Sequence, residues 1–233
     1  VLEANQNTIV ILNTGSPIHM PWAHKASAIV QTWFAGQEFG NALVDILSGK
    51  VNPSGKLPTT FPAKIEDTPA YQFYPGTDLQ MNYHEKLLVG HRWYEKKLVK
   101  PLFCFGHGLS YTNFKYQNLE VSADKDFIVS CRFEVKNTGN IFGQEIAQCY
   151  VGYINPLAEE PCKTLQGFMK AEIKANEVKN FEIQLGPRNF SYWSVEANAW
   201  QIKGGAYKIL IGSSSEDIYI ETTINLEQAL EVL

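Results

Sequence analysis

The chain has 233 residues, of which 45% are hydrophobic and 19% charged, a composition that supports a real core and argues against disorder outside the ends. Its formal net charge is -4 and its basic residues form no stripe, so we expect neither nucleic acid nor an anionic membrane as a partner. The apolar runs are strand-sized, so none is expected to span a bilayer.

The amino-terminal segment VLEANQN is interpreted as the last turn of a helix, residues 1–4, that ends near Asn5. It has no initiating Met, basic region or apolar region, so we expect neither a natural start nor a signal peptide. The interpretation is a chain cut out of something longer.

The first part of the chain alternates strand and helix patterns. Residues 8–13 (TIVILN) and 28–34 (AIVQTWF) are continuous apolar runs, typical of strands buried on both faces of a parallel sheet. A short helical segment is expected between them, at residues 21–27. Residues 36–49 have apolar positions at helical spacing and end in Gly49, which predicts a helix with a glycine cap. This order indicates an α/β sheet.

The next segment contains turn residues and then many aromatic ones. Residues 52–55 (NPSG) predict a turn, and residues 56–61 predict a strand that the flanking prolines place at a sheet edge. Residues 63–101 are aromatic and irregular. Because so long an excursion is uncommon in a compact domain, we expect it to be functional or interfacial.

Beyond Ser110 the pattern changes to a period of two. Several short strands and no helix within roughly 110 residues predict an immunoglobulin-like sandwich. A hairpin connection is expected at residues 136–140, and a helix only in the tail, residues 225–233. The strand-like runs named from the pattern are residues 127–135, 145–153, 179–185, 206–212 and 217–224.

The cysteines show no spacing typical of a metal cluster. Buried free thiols are favoured over a disulfide bridge, although a bridge stays open, and we expect no zinc centre. The histidines at positions 19, 24 and 91 likewise have no ligand spacing. The four cysteines are Cys104, Cys131, Cys149 and Cys162.

The motif GHGLS raises the question of a catalytic pair, His107 with Ser110. It lacks the order of a nucleophile elbow and lies where the pattern changes rather than between a strand and a helix. The glycines suit a tight turn with close backbone packing. We therefore favour a scaffold role over a nucleophilic one.

Two other polar pairs are candidates for chemistry. His84 and Glu85 lie in the aromatic excursion, but a solvated pair is favoured over a catalytic one. Gln37 and Glu38 lie near the carboxyl end of a strand, where α/β sheets bind ligands. The helix dipole alone also favours an acidic residue in a first helical turn, and this explanation is preferred.

An ordered set of motifs runs through nearly the whole chain. The motifs are QTWFAGQEFGNALVDILSGKVNPSGKLPTTFP, VGHRWYEKKLVKPL, FCFGHGLSYTNF, FEVKNTGNIFGQEIAQCYV, TLQGFMK, RNFSYW and GGAYKILIGSSSEDI. In this order they closely resemble the carboxyl-terminal part of glycoside hydrolase family 3 β-glucosidases. FCFGHGLSYTNF is similar to the family's junction between its last two domains, with Cys104 where proline is usual.

The resemblance implies a fold and a division of the chain. Residues 1–110 are expected to be the second half of an α/β sandwich domain, incomplete and with a mostly parallel sheet. Residues 111–233 are expected to be a fibronectin type III-like β-sandwich. His107 and Ser110 would then be scaffold.

The resemblance also implies a retaining hydrolase that removes a terminal β-linked glucose with two carboxyl groups. In the family the nucleophilic Asp belongs to an amino-terminal barrel-like domain and the acid/base Glu to an earlier loop of the sandwich domain. Both lie upstream of Val1, so no catalytic, cofactor-binding or metal residue is assigned to this chain. We expect the chain alone to be inactive, with the amino-terminal portion of the same enzyme as its partner and β-glucosides or oligosaccharides as the substrate of the whole.

A noncatalytic binding module is the alternative. Tyr150, Tyr153, Tyr192 and Trp193 could hold a polysaccharide or a protein if exposed, although packing in the core and docking against the sandwich domain is the preferred interpretation of these aromatic residues. A serine hydrolase that uses Ser110 is the weakest of the three hypotheses.

Overall fold

The computed structural model describes residues 1–227, and the chain divides into two compact units. The first unit comprises residues 1–51 and 58–105, and the second comprises residues 52–57 and the chain from residue 106 onward. The helix expected in the tail falls largely on residues 228–233, which lie outside the described residues. Residues 225 and 226 belong to a strand instead.

The first unit contains a parallel pair of strands and a helix. Strand β1 (Ile9–Leu12) pairs in parallel with β2 (Ala28–Gln31), with Ile9 opposite Ala28. A 3-10 turn (Ala23–Lys25) lies in the crossover, and helix α1 (Phe39–Leu47) follows β2. The predicted α/β class is confirmed, although the strands are only half-buried in this chain rather than buried on both faces.

Helix α1 ends where the sequence predicts. Ser48 is its carboxyl cap, and Gly49 follows with a φ of 76°, a left-handed conformation that glycine adopts without steric cost. The helix is amphipathic, yet none of its residues is buried, and Val44 and Leu47 are 61% and 44% exposed. Its apolar side is therefore open to solvent within the described chain.

The strand predicted at residues 56–61 does not form. Only Phe61 pairs, in an isolated antiparallel bridge with Phe103. The reason is that residues 52–57 belong to the second unit, where the Leu57 N–H donates to the His107 carbonyl at 2.8 Å.

The aromatic excursion contains a helix that the pattern did not predict. Helix α2 (His91–Lys97) begins after Gly90, whose φ is 61°, and ends at Leu98 in a left-handed conformation. A 3-10 turn (Ile65–Asp67) lies near the start of the excursion.

No helix among residues 1–227 has the length and hydropathy needed to cross a bilayer.

The second unit is a β-sandwich of two antiparallel sheets. Its strands are β3 (Phe114–Ala123), β4 (Val129–Asn137), β5 (Gly143–Tyr153), β6 (Thr164–Ile173), β7 (Val178–Leu185), β8 (Ser191–Ser194), β9 (Ala199–Ile202), β10 (Gly205–Gly212) and β11 (Ile218–Leu226). One sheet has the strand order β11-β10-β5-β6, the other has the order β3-β4-β7, and strands β8 and β9 form a separate hairpin. The predicted sandwich is confirmed.

Alternating side chains of both sheets form the core of the second unit. In β4, residues 129, 131, 133, 135 and 137 are buried and the residues between them are not. Strands β4 and β5 lie in different sheets, so the chain between Asn137 and Gly143 connects the two sheets, and the hairpin predicted at residues 136–140 is wrong. Strands β3, β6, β8 and β9 were not among the runs named from the pattern.

The cysteines occur as free thiols. Cys104, Cys131 and Cys149 are buried and Cys162 is half-buried. Cys131 and Cys149 hydrogen-bond to each other in the sandwich core, and this bond together with burial raises the pKa of the Cys149 thiol. The sequence left free thiols and a disulfide bridge open, and the structure has free thiols at all four cysteines.

Candidate functional site

The carboxyl ends of β1 and β2 are the edge at which an α/β sheet would bind a ligand. Glu38 lies here, immediately before α1, and its Oε2 accepts a hydrogen bond from Asn41 Nδ2 at 2.5 Å. Glu38 is the N-cap residue of α1, just before the first turn in which the dipole explanation expected it, and its side chain makes no hydrogen bond to the helix backbone. Phe34, at the same edge, is 89% exposed.

The pair His84 and Glu85 lies in the loop before α2. The His84 ring stacks on Phe73, with ring centroids 4.0 Å apart and planes at 29°. The Glu85 carbonyl accepts a hydrogen bond from the Leu88 N–H at 2.8 Å, which closes a turn. Neither contact gives Glu85 a catalytic arrangement, because its backbone carbonyl rather than its carboxylate is the group used in this turn.

Ser110 is hydrogen-bonded to an asparagine of the segment 52–57. Its Oγ donates to Asn52 Oδ1 at 3.0 Å, and the same oxygen accepts the Tyr111 N–H at 2.8 Å. Asn52 Nδ2 donates to the Phe142 carbonyl at 3.0 Å. One asparagine side chain therefore fastens three parts of the second unit together, and the Ser110 hydroxyl hydrogen is used in this network.

The glycines of the GHGLS motif allow this close packing. Gly106 has a φ of 82°, and a Cβ there would lie 2.3 Å from Gln148 Oε1. At Gly108 a Cβ would lie 2.2 Å from the Gly55 carbonyl oxygen. Gly106 needs glycine because of its positive φ, and Gly108 needs it because the Gly55 backbone cannot move aside as a flexible side chain can.

A buried ion pair lies beside the motif. Lys56 Nζ is 3.2 Å from Glu145 Oε1, and the side chains are 12% and 4% exposed. Tyr116 OH donates to the same Oε1 at 3.1 Å, and Lys56 Nζ also donates to the Gly108 carbonyl at 3.1 Å. The charged groups thus have the extra hydrogen bonds that buried charges require.

Burial dominates the acid–base behaviour of this cluster. It raises the pKa of the Glu145 carboxyl, and the Lys56 charge and hydrogen bonds from Lys56, Tyr116 and the Ile146 backbone only partly offset this. It also lowers the pKa of His107, an effect opposed by Asp217 and reinforced by Lys56. These groups form a polar cluster inside the second unit, and no local sequence pattern predicts it.

The four aromatic residues considered for a binding module separate into two pairs. Tyr150 is fully buried and its OH donates to Gln148 Oε1, and half-buried Tyr153 packs edge-on against Tyr207 with centroids 5.2 Å apart. Tyr192 and Trp193, on β8, are 46% and 45% exposed. Core packing therefore accounts for the first pair, whereas about half of each side chain of the second pair is exposed within residues 1–227.

Comparisons with known proteins identify relatives for both units. Residues 1–111 match the sequence profile of the glycosyl hydrolase family 3 C-terminal domain, and residues 145–215 match that of the fibronectin type III-like domain. The thermostable β-glucosidase B of Acetivibrio thermocellus is 39% identical over an alignment of 235 positions, which covers 100% of this chain and 31% of the relative. The β-glucosidase B of Emericella nidulans is 41% identical over 96% of this chain and 28% of its own length.

Solved structures extend the likeness to the backbone. A family 3 β-glucosidase from Bifidobacterium adolescentis superposes with a TM-score of 0.94 at 34% identity, covering 100% of this chain and 35% of that one. The chain therefore spans about a third of the length of the proteins that it matches.

Proposed function

The chain belongs to glycoside hydrolase family 3, and from this membership we propose that it is the carboxyl-terminal part of a retaining β-glucosidase that hydrolyses terminal β-D-glucosyl residues. The observation that carries the proposal is the match to a β-glucosidase over 100% of the chain at 39% identity. In this proposal the chain supplies scaffold and part of the surroundings of the active site.

The proposal places the two catalytic carboxyl groups upstream, in the part of the relatives that this chain does not cover. A retaining glycosidase holds its nucleophile and acid/base about 5 to 5.5 Å apart. Glu38 instead bonds to Asn41, and Glu85 lies in a turn before α2. The match of residues 1–111 to the family's C-terminal domain supports the assignment of the chemistry to upstream residues.

The amino-terminal portion of the same enzyme is the proposed partner of the first unit. Helix α1 is amphipathic but has no buried residue, and β1 and β2 form a sheet of only two strands. A parallel sheet is normally covered on both faces. Further strands and helices contributed by the upstream portion would complete this sheet and cover α1.

The proposal also includes a domain boundary between residues 110 and 111, with the α/β domain before it and the fibronectin type III-like domain after it. The change from a parallel pair with helices to antiparallel strands, between α2 and β3, supports a boundary in this interval. The short segment 52–57 is the exception, because it packs within the second unit.

Hydrolysis of 4-nitrophenyl β-glucoside tests the proposal. We expect no turnover by the purified 233-residue chain, checked by intact mass. We expect turnover by a chimera in which this chain replaces the matching carboxyl-terminal part of the Acetivibrio enzyme. A folded chimera without activity would contradict the function. Turnover by the chain alone, lost in Glu38→Gln or Glu85→Gln, would contradict the upstream location of the carboxylates.

A further inference from the structure

The hairpin formed by β8 and β9, residues 191–202, presents an aromatic pair to solvent. Trp193 and Trp200 are directly opposite each other in the strand register, so both lie on one side of the ribbon. Their ring centroids are 5.5 Å apart and the planes meet at 62°. Trp193 is 45% exposed. An exposed indole held by a second indole is fixed in orientation before any ligand arrives.

Arg188 fixes the second indole of this pair. Its guanidinium carbon lies 3.2 Å from the centroid of the Trp200 ring, in cation–π contact. Arg188 belongs to the 3-10 turn Pro187–Phe190, directly before β8. The side chain of Phe190, at the end of this turn, is buried against Tyr207 in the core, with centroids 5.6 Å apart. The aromatic pair is thereby connected to the rigid part of the sandwich.

The opposite side of the hairpin carries a second exposed ring with polar neighbours. Tyr192 is 46% exposed, and its OH donates to Gln201 Oε1 at 3.1 Å. This bond leaves the Gln201 amide N–H groups as donors at the edge of the ring. The Tyr192 side of the hairpin therefore has amide and hydroxyl groups at the edge of its ring, and the side of Trp193 and Trp200 has the guanidinium of Arg188.

The chemistry of this hairpin surface suits a pyranose ring as the bound ligand better than it suits another protein. Glucose in a β-linked chain has faces of C–H groups, which are weakly positive and stack on the negative face of an indole. Its hydroxyl groups point outward around the ring and need donors and acceptors at the rim. Protein contacts, in contrast, concentrate their affinity in well-packed, desolvated pockets, whereas Tyr192 and Trp193 are 46% and 45% exposed at adjacent positions of a two-stranded ribbon.

We propose that the hairpin of residues 191–202 is a noncatalytic binding site for the chain of a β-glucan, with Trp193 as the stacking platform. The choice of a β-linked glucan rests on the proposed β-glucosidase function, whereas the platform itself rests on the hairpin alone. Binding there would raise the local concentration of polymeric substrate without any contact to the reacting bond.

Affinity electrophoresis tests the site on the 233-residue chain. In native gels that contain soluble mixed-linkage β-glucan, the chain should be retarded relative to a noninteracting reference protein. Trp193→Ala should weaken binding by about tenfold or more, because truncation removes a central aromatic contact. Val195→Ala, which shortens an 85% exposed apolar side chain of the same hairpin, should bind like the wild type. Circular dichroism confirms that each variant is folded.

A measurement on the unmodified chain keeps the proposal testable if Trp193→Ala does not fold. The indole Nε1–H resonance of Trp193, identified with Trp193→Phe, should shift on titration with cellohexaose. The corresponding resonance of Trp93, whose Nε1 donates to the Asp67 carbonyl, should not. Absence of retardation by the glucan, or equal retardation of wild type and Trp193→Ala, would overturn the proposal. Neither assay involves turnover, so such a failure would leave the β-glucosidase proposal standing.

Discussion

Lys56 and Glu145 form a buried ion pair, with Nζ and Oε1 3.2 Å apart, across 89 positions of the sequence. Lys56 comes from the turn segment that the structure places in the second unit, and Glu145 comes from strand β5. The pair therefore joins the segment 52–57 to the β-sandwich through a charge contact from which water is largely excluded.

We expect Lys56→Met to destabilise the second unit by about 3 to 5 kcal/mol, because it leaves the Glu145 carboxylate buried without its partner. Urea denaturation followed by the circular dichroism of the sheets measures this loss. Lys50→Met is the matched control, since its partner Asp45 lies 2.9 Å away but the two side chains are 73% and 33% exposed. There the change should be below about 1 kcal/mol.

The double replacement Lys56→Met with Glu145→Leu separates charge burial from packing. It should be more stable than Lys56→Met alone, because no uncompensated charge remains. A double variant as unstable as the sum of the two single variants would show that the charges do not interact.

His107 makes the stability of the second unit depend on pH below about 6.5. Burial holds the pKa of His107 below its ordinary value of about 6.5 in the folded state. Its contribution to stability is therefore fully present above pH 6.5 and is lost as the pH falls through the folded pKa. His107→Gln should reduce the loss of stability between pH 7.5 and 5.5, measured from urea midpoints.

Titration of His107 by NMR checks the cause directly. Asp217→Asn should move the His107 pKa further down, because the Asp217 carboxylate favours the charged imidazole. A folded-state titration at or above the ordinary value, or an upward shift in Asp217→Asn, would contradict this account.

The parts of the fold that the sequence predicts are those with local signals. Helix α1 lies within the predicted range because its apolar residues recur at helical spacing and Gly49 terminates it. Helix α2 was missed because it has seven residues, begins after a glycine without a side-chain cap and lies in an aromatic segment. Short helices without caps depend on tertiary packing rather than on their own pattern.

The site features that sequence reasoning missed all depend on distant pairs. Lys56 in a turn looks like a solvated residue until β5 places Glu145 beside it. The edge strand predicted at residues 56–61 does not form for the same reason, because the Leu57 N–H donates a hydrogen bond to the carbonyl of the distant His107. Trp193 was noted from the sequence, but its pairing with Trp200 depends on a hairpin register that composition does not determine.

Ser110 and Asn52 should act on stability rather than on turnover. Asn52→Ala should cost about 1 to 3 kcal/mol, because it leaves the Ser110 hydroxyl, the Tyr111 N–H and the Phe142 carbonyl without this partner. In the active chimera described above, Ser110→Ala and His107→Ala should lower the melting temperature more than kcat for 4-nitrophenyl β-glucoside. A collapse of kcat at an unchanged melting temperature would instead assign these residues to the chemistry.

Gly108 should tolerate no side chain, in contrast to Gly55, whose backbone lies beside it. A Cβ at Gly108 would lie 2.2 Å from the Gly55 carbonyl oxygen, so we expect Gly108→Ala to destabilise the second unit by more than about 2 kcal/mol. A Cβ at Gly55 has nothing within 4 Å, so Gly55→Ala should change stability by about 0.5 kcal/mol or less. Urea denaturation of both variants tests the difference, and equal losses would contradict it.

Helix α1 should drive self-association of the chain when its proposed partner is absent. Val44 and Leu47, on a helix with no buried residue, form an apolar surface that water contacts unfavourably. At roughly 100 μM, sedimentation velocity should detect oligomers of the wild type. The double replacement Val44→Lys and Leu47→Lys should remove them, while Leu157→Lys, at a 63% exposed position of the second unit, should not. A monomeric wild type, or oligomers unchanged by the α1 replacements, would mean that this side of the helix needs no cover and would remove one support for an upstream partner.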